Sequence, residues 1–404
     1  MGHLARWQEA SLSVESSRAL WKWRVAAALA VLALGSTSRA SAQIVGTEPP
    51  FASTVEAFAN VTGAASAVAL GSRATHPLNA RIDVALRVFA RFETDDGFAF
   101  GPRVAVQSLG QQRPALGDRT IVLGTPDWGR LELGYRQGLP DTLTGYAPNS
   151  YTFTGVEFGP PTGLNLFPHG GLQTSFLAPA QRDAVGSLSY LGIATAFAAD
   201  SSFKALYTSP RYAGFQLGLS ASPNVDPTPF GADYEQSLQA GIAFEYHFGN
   251  NHTLRSGGSY GLGYRRHANE NTNAARALHS SNVGVSLGLA ETWFVGLSGS
   301  YEYAARSLSL EAASPRTGIG GTASINYESG PWAFGGFTQA ARAHEGAPTR
   351  SRLLALEVGA AYRLDTHLKF YASIYGYDFR DDGAATPRPA GRGAVFLSGV
   401  RAQL

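Results

Sequence analysis

The chain has no cysteine, and its one methionine is the first residue. Without thiols, neither a disulfide framework nor a thiolate metal site can hold the fold. No apolar run reaches the roughly twenty residues that a membrane-spanning helix needs. Charge is scarce as well: 32 Lys and Arg stand against 30 Asp and Glu in 404 residues, a net of +2 with histidine neutral. So small an imbalance gives no basic footprint for nucleic acid. Catalytic spacings are missing too. The nine histidines do not pair at metal-ligand spacing, and no His-Glu-x-x-His occurs. GGLQTS from Gly170 and GSYGLG from Gly258 are glycine-rich, but neither opens a helical pattern able to cradle phosphate. Asp95-Asp96 and Asp381-Asp382 read as solvated acids of a turn and a loop. No enzyme activity, cofactor or metal is expected.

Glycine and aromatic residues are plentiful. There are 47 glycines, well above the usual share of about 7%. Tyr and Phe number 17 and 22. Near the start, Val25 to Leu34 is a short apolar run preceded by Arg18, Lys22 and Arg24 and followed by Ala40-Ser41-Ala42. A basic region, an apolar core too short to span a bilayer and an Ala-x-Ala exit read as a secretory signal peptide over residues 1–42. Cleavage after Ala42 leaves residues 43–404 as a single exported domain.

That domain alternates. In Ala80 to Glu93, Ile82, Val84, Leu86, Val88 and Phe92 fall on one face, and Arg81, Asp83, Arg87, Arg91 and Glu93 on the other. A strand keeps these sets apart, whereas a helix scatters them round its circumference. Similar stretches recur from Thr54 to Leu404, sixteen in all. The connections alternate in length. Short ones lie at Thr94, Thr125, Ser209, Gly249, Glu291, Ser329 and Asp365. Longer ones lie near Gly71–Asn79, Ser108–Asp118, Gln137–Asp200 and Pro223–Glu235. The rest lie near Ala268–His279, Ala305–Arg316, Ala343–Ser351 and Arg380–Gly391. Short turns on one side and long loops on the other are the rule for outer-membrane barrels, and a soluble sandwich has no reason to follow it. The fold expected is an all-β, antiparallel transmembrane barrel of about sixteen strands. The whole chain's mean hydropathy of −0.09 fits, because lumen-facing polar residues cancel lipid-facing apolar ones.

One connection stands apart. About sixty residues between Gln137 and Asp200 show no sustained period, and a loop that long is usually functional or disordered. Its flanks read as neighbouring strands, so it is placed to fold into the barrel and narrow it. The polar faces around it carry arginine: Arg81, Arg87 and Arg91 on the second strand, Arg103 on the third, Arg130 and Arg136 on the fifth. Arginine is costly against lipid, so these side chains are expected in the lumen or at its rims.

Arg119 to Leu143 (RTIVLGTPDWGRLELGYRQGLPDTL) resembles the segment of Gram-negative general porins that leads into their constriction loop. Phe203 to Asn224 resembles the strand-turn-strand after it. Leu356 to Phe379 and Ala394 to Leu404 are similar to the last three strands. The resemblance implies a homotrimer that passes small hydrophilic solutes and ions by diffusion. It also implies a basic wall facing acids of the folded-in loop. The matching candidates are Arg87, Arg91, Arg103, Arg130 and Arg136 against Asp141 and Glu157. The excess of arginine points to a weak anion preference. A solute-specific channel, or a structural or adhesive barrel of the same build, stays open as an alternative. Arg380 and Arg388 to Arg392 read as a charged outer loop or as a contact for anionic lipopolysaccharide, beside the outer-membrane lipid expected round the barrel. The chain departs from the family pattern at Leu404, where an aromatic residue usually assists membrane insertion.

Overall fold

The computed structural model describes residues 54–67, 78–95, 97–109, 115–136, 138, 139, 143 and 202–223. It further describes residues 236–249, 251–264, 277–304, 316–344, 350–381 and 391–403. The proposed signal segment and nearly all of residues 137–200 lie outside this set. Strand segments make up most of it. The first half holds β1 (Thr54–Ala67), β2 (Leu78–Phe89), β3 (Phe92–Glu93), β4 (Ala99–Leu109), β5 (Ala115–Thr125), β6 (Gly129–Tyr135), β7 (Phe203–Thr208) and β8 (Phe215–Ser222). Then come β9 (Gln236–Phe248), β10 (His252–Tyr264), β11 (Ala277–Leu289), β12 (Trp293–Ala304) and β13 (Arg316–Ser329). The last are β14 (Trp332–His344), β15 (Arg350–Arg363), β16 (Leu368–Asp381) and β17 (Gly391–Gln403).

Every pairing is antiparallel and between neighbours in the chain, with one addition. β1 pairs with β2 on one side and with β17 on the other. The ladder therefore closes into a ring, which leaves no sheet edge to template aggregation. β2 and β3 are one strand. Phe89 faces Arg103 and Phe92 faces Phe100 in one unbroken register. The gap lies opposite Pro102, which has no N–H to give, although its carbonyl accepts from Ala90 at 3.1 Å. The sheet thus has sixteen strands, as the alternation predicts.

The two faces are inverted relative to a soluble protein. Leu219, Leu238, Val283, Leu297, Ile319 and Leu354 each expose more than half their surface outward. Ser220, Gln239, Ser259, Asn282, Thr322 and Asn326 are buried on the inner face. A soluble monomer does not expose a continuous apolar wall of this extent, and a barrel in lipid requires one. Aromatic pairs border the wall at the short-turn end: Phe92 on Phe100, Trp128 on Tyr207, Phe215 on Phe244, Trp293 on Tyr327 and Trp332 on Tyr362. One interior sector differs. On β14 to β17 the inner face carries buried Phe337, Tyr375, Phe379 and Leu397.

Strand ends correct the sequence-based boundaries. The connection expected over Ser108–Asp118 shrinks to 110–114, because β5 begins at Ala115 rather than Arg119. A bulge hides the extra turn of strand. Val104 pairs with Arg119 but Val106 pairs with Leu116, so two residues of β5 oppose one of β4 and the alternation breaks. A tight hairpin joins β11 to β12. Ala290 and Glu291 both adopt positive φ (50° and 57°), the twist that suits a two-residue hairpin, and the Thr292 N–H bonds the Leu289 carbonyl at 3.0 Å.

Candidate functional site

The site begins on β6. Arg130, Glu132 and Arg136 share its inward parity. The carboxylate of Glu132, 1% exposed, forms ion pairs with Arg130, whose Nε lies 2.9 Å away, and with Arg136. Next door on β7, buried Lys204 donates to the Arg136 backbone carbonyl. A buried carboxylate left alone is strongly destabilising, so the two guanidiniums and Glu132 act as one unit. Two guanidiniums thus meet one buried carboxylate where the chain leaves β6, with a buried lysine on the Arg136 backbone.

From there the chain turns into the barrel. The Arg136 N–H bonds the Ser202 carbonyl at 3.5 Å, which ties the two ends of the long loop together. The Leu139 N–H donates to Gln239 Oε1 at 2.9 Å, across to β9. Leu139 and Leu143 are buried against Leu206 of β7 and Ala243 of β9. Two glycines clear the space. A Cβ built on Gly218 would lie 2.3 Å from Leu143 Cδ1 and 2.5 Å from Leu139 Cδ1, and one on Gly241 would lie 3.3 Å from Leu143 Cδ1. At the loop's return, Ser202 and Ser222 hydroxyls meet at 2.8 Å, and Ser222 also bonds the Phe203 carbonyl at 2.6 Å. Leu139 and Leu143 therefore pack on the inner wall of β7 to β9.

The other candidates are placed as follows. Arg103 lies on β4 at inward parity, half-exposed, between Phe89 and Thr120 in the ladder. It has no ion-pair partner among the described residues. Arg91 pairs with Glu93. Arg87 is placed by its backbone register alone, between Glu56 of β1 and Ala105 of β4. Asp141 and Glu157 lie outside the described residues. Sequence reasoning missed Glu132, Lys204 and Gln239, although Glu132 shares the parity of Arg130 and Arg136. A second inner cluster sits near the short-turn mouth, where Glu245 binds Arg211, Arg255 at 3.3 Å and His247 at 3.0 Å. No group of three metal-ligating side chains occurs among the described residues.

The arrangement is that of a channel: a polar inner wall, an apolar outer wall and, at Leu139 and Leu143, the root of the long connection seated on the inner wall. The family model described as Gram-negative porin matches residues 26–383. No curated protein matches the sequence. Among solved structures, OmpF of Salmonella typhi in complex with daunomycin is 10% identical at a TM-score of 0.59, over 87% of this chain and 97% of that one. The in-vitro folded outer membrane protein OmpT of Vibrio cholerae is 12% identical at 0.53, over 87% and 100%. At such identities these structures speak for the fold alone, whereas the family model spans most of the sequence. The chain belongs to the Gram-negative porin family and is an outer-membrane β-barrel channel.

Proposed function

We propose that the chain, exported with removal of residues 1–42, forms a homotrimeric, water-filled pore for passive diffusion of small hydrophilic solutes and ions. A barrel of sixteen strands leaves an aqueous channel wide enough for large solutes unless something narrows it. The observation that carries the reading is the seating of Leu139 and Leu143 against Gly218 and Gly241, because it starts the long loop on an inward course. In this reading Asp141 and Glu157 follow into the lumen and face the arginines. The trimer draws on the family resemblance and on the trimer form named for the Vibrio cholerae protein. Outer-leaflet lipid, lipopolysaccharide included, surrounds the wall.

Selectivity follows from charge balance. Arg130 and Arg136 share Glu132, and Arg91 is paired with Glu93. Arg103 and Arg87 are then the wall cations assigned to a weak anion preference, through a field that a narrow, low-dielectric cleft concentrates. Planar-bilayer recording tests both parts. Deleting Thr152–Gln173 raises single-channel conductance and the size limit for sugars. The double variant Arg87→Gln/Arg103→Gln moves the reversal potential in a salt gradient toward cations. A deletion variant that folds and conducts like wild type removes the loop from the pore. An unmoved reversal potential removes those two arginines from the selective region. Saturable, solute-specific block would favour a dedicated channel over a general one.

A further inference from the structure

Another basic cluster lines the lumen on β15 to β17. Arg363 closes β15, Lys369 lies at the start of β16 and Arg401 near the end of β17. The three are successive Cα partners in the ladder. Adjacent strands lie about 4.8 Å apart, so the positions span roughly 10 Å. All have inward parity: Arg363 that of buried Ala361, Lys369 that of Tyr371 and Ser373, Arg401 that of Leu397. The charges that act on Lys369 are those of Arg401, Glu328 and Arg363, two like and one opposite. Like charges placed directly opposite destabilise a sheet.

The acids of this stretch are fewer. Glu328 of β13 pairs with Arg363 at 3.2 Å. The row itself passes through Asn60 of β1 and reaches Asp83 of β2, two strands beyond Arg401. Even with Asp83 counted, three cations stand against two acids. The Asp365 carboxylate, in the adjoining turn, is engaged by the N–H groups of His367 and Leu368. The level of the row decides what reaches it. Beside it on the outer face stand Tyr362, edge-on to Trp332 at 4.8 Å, and exposed Phe370. Such aromatics mark the membrane interface, so the cluster lines the lumen at its short-turn mouth. The Arg363 side chain is 53% exposed there, and Lys369 and Arg401 are half-buried.

We infer that Arg363, Lys369 and Arg401 form a binding site for phosphate and phosphate monoesters at the short-turn mouth of the lumen. The inference rests on the channel reading. It differs from the weak anion preference assigned to Arg87 and Arg103, because it names the anion and sets it on other strands. A phosphate monoester carries a charge of about −1.5 to −2 at pH 7 and three acceptor oxygens. Two guanidinium forks match those oxygens in pairs, and the ammonium between them adds a point charge. Bound phosphate also relieves the repulsion within the row. Chloride brings a single charge and no oxygens for the forks, and a carboxylate brings only two oxygens. The organic part of a monoester extends into the water of the lumen. Phosphorylated solutes are thus held where they enter or leave on the short-turn side.

Calorimetric titration of the purified full-length protein in detergent with inorganic phosphate, glycerol phosphate or acetate tests this. Wild type binds both phosphate ligands more tightly than acetate. Arg363→Gln/Arg401→Gln weakens phosphate binding about tenfold or more, as expected when charge-assisted hydrogen bonds are lost. Arg363→Lys/Arg401→Lys keeps the charge but loses the forks, which narrows the preference for phosphate over acetate, and it serves if the glutamine variant fails to assemble. Equal phosphate affinity in wild type and the glutamine variant overturns the site. So does wild-type binding of phosphate no tighter than acetate, which needs no variant. Loss of phosphate binding in Arg87→Gln/Arg103→Gln moves the anion to the other wall and overturns the site as well. Phosphate binding without glycerol phosphate binding overturns the monoester assignment. The channel reading is judged separately in planar bilayers, where a wild type without conductance sinks that reading and leaves the titration to stand alone.

Discussion

At the scale of single residues, the seating of Leu139 and Leu143 on the inner wall depends on two hydrogen atoms. Gly218 and Gly241 sit side by side on β8 and β9, and the space a methyl would fill holds Leu139 and Leu143. Gly218 is the sharper test, because its Cβ would meet only the ends of flexible leucine side chains and no backbone. Gly218→Val therefore leaves the barrel able to form but evicts the leucines. Overpacking of this kind costs ~1–3 kcal/mol. The expected result is a lower melting temperature in detergent, with single-channel conductance raised toward that of the loop deletion. Unchanged conductance with a lowered melting temperature would mean that these leucines brace the wall without steering the loop. Neither glycine could be singled out in the sequence. The chain has 47 of them, and the leucines they accommodate lie some eighty and one hundred residues earlier.

At the scale of elements, alternation made most strands legible, because a strand between lipid and water must sort its side chains by parity. Ile121, Leu123, Leu131 and Leu133 kept that parity on β5 and β6. Legibility failed where geometry breaks parity. The bulge between Val104 and Val106 concealed the first residues of β5. Partners of the loop root were also hidden. Barrel tilt and stagger decide that Gln239 meets Leu139, and no local period encodes that. Turn chemistry was easier to read, and Asp365 carries a prediction of its own. Its carboxylate Oδ1 accepts the backbone N–H groups of His367 and Leu368, both at 2.7 Å, between β15 and β16. The His367 bond, then the Leu368 bond, holds its pKa below the ordinary aspartate range near ~3.9. A depressed folded-state pKa stabilises the turn fully above the unfolded value, and that contribution is lost as pH falls through the lower folded one. Hydrogen exchange, corrected for its intrinsic pH dependence, should show the two amides protected at pH 5 and released well below pH 4. Asp365→Ala should release them at both. Protection in that variant equal to wild type would show that the hairpin backbone, and not the carboxylate, holds the turn.

At the scale of the whole molecule, closure was legible from connection lengths, since seven short and eight long links can only join sixteen strands up and down. What one chain cannot display is how its outer wall divides between lipid and neighbouring copies. Two sectors of that wall are chemically distinct. From β2 to β6 it is mainly aliphatic between its rims: Val88, Val104, Val106 and Ile121 are exposed there, with Phe92 and Phe100 at the short-turn end and Arg119 stacked on Tyr135, 4.2 Å from the ring centroid. From β14 to β16 it carries Arg342, Arg352 and Arg380, successive Cα partners in the ladder. Close packing against identical subunits suits the first sector, where small aliphatic side chains let walls approach in a closed ring. The second sector suits lipid. Ile121→Asp should therefore release monomers, while Val283→Asp, on β11, should leave the trimer intact. Both substitutions place one carboxylate on an exposed apolar wall, so the cost against lipid is shared and the difference isolates the interface. Native mass spectrometry of the membrane-extracted protein reads the outcome directly, and the same spectrum reports whether each subunit starts at Gln43. A wild type seen only as monomer would end the trimer proposal. Dissociation by both substitutions alike would show that a carboxylate anywhere on the wall destabilises the assembly, and would free β2 to β6 of any special role.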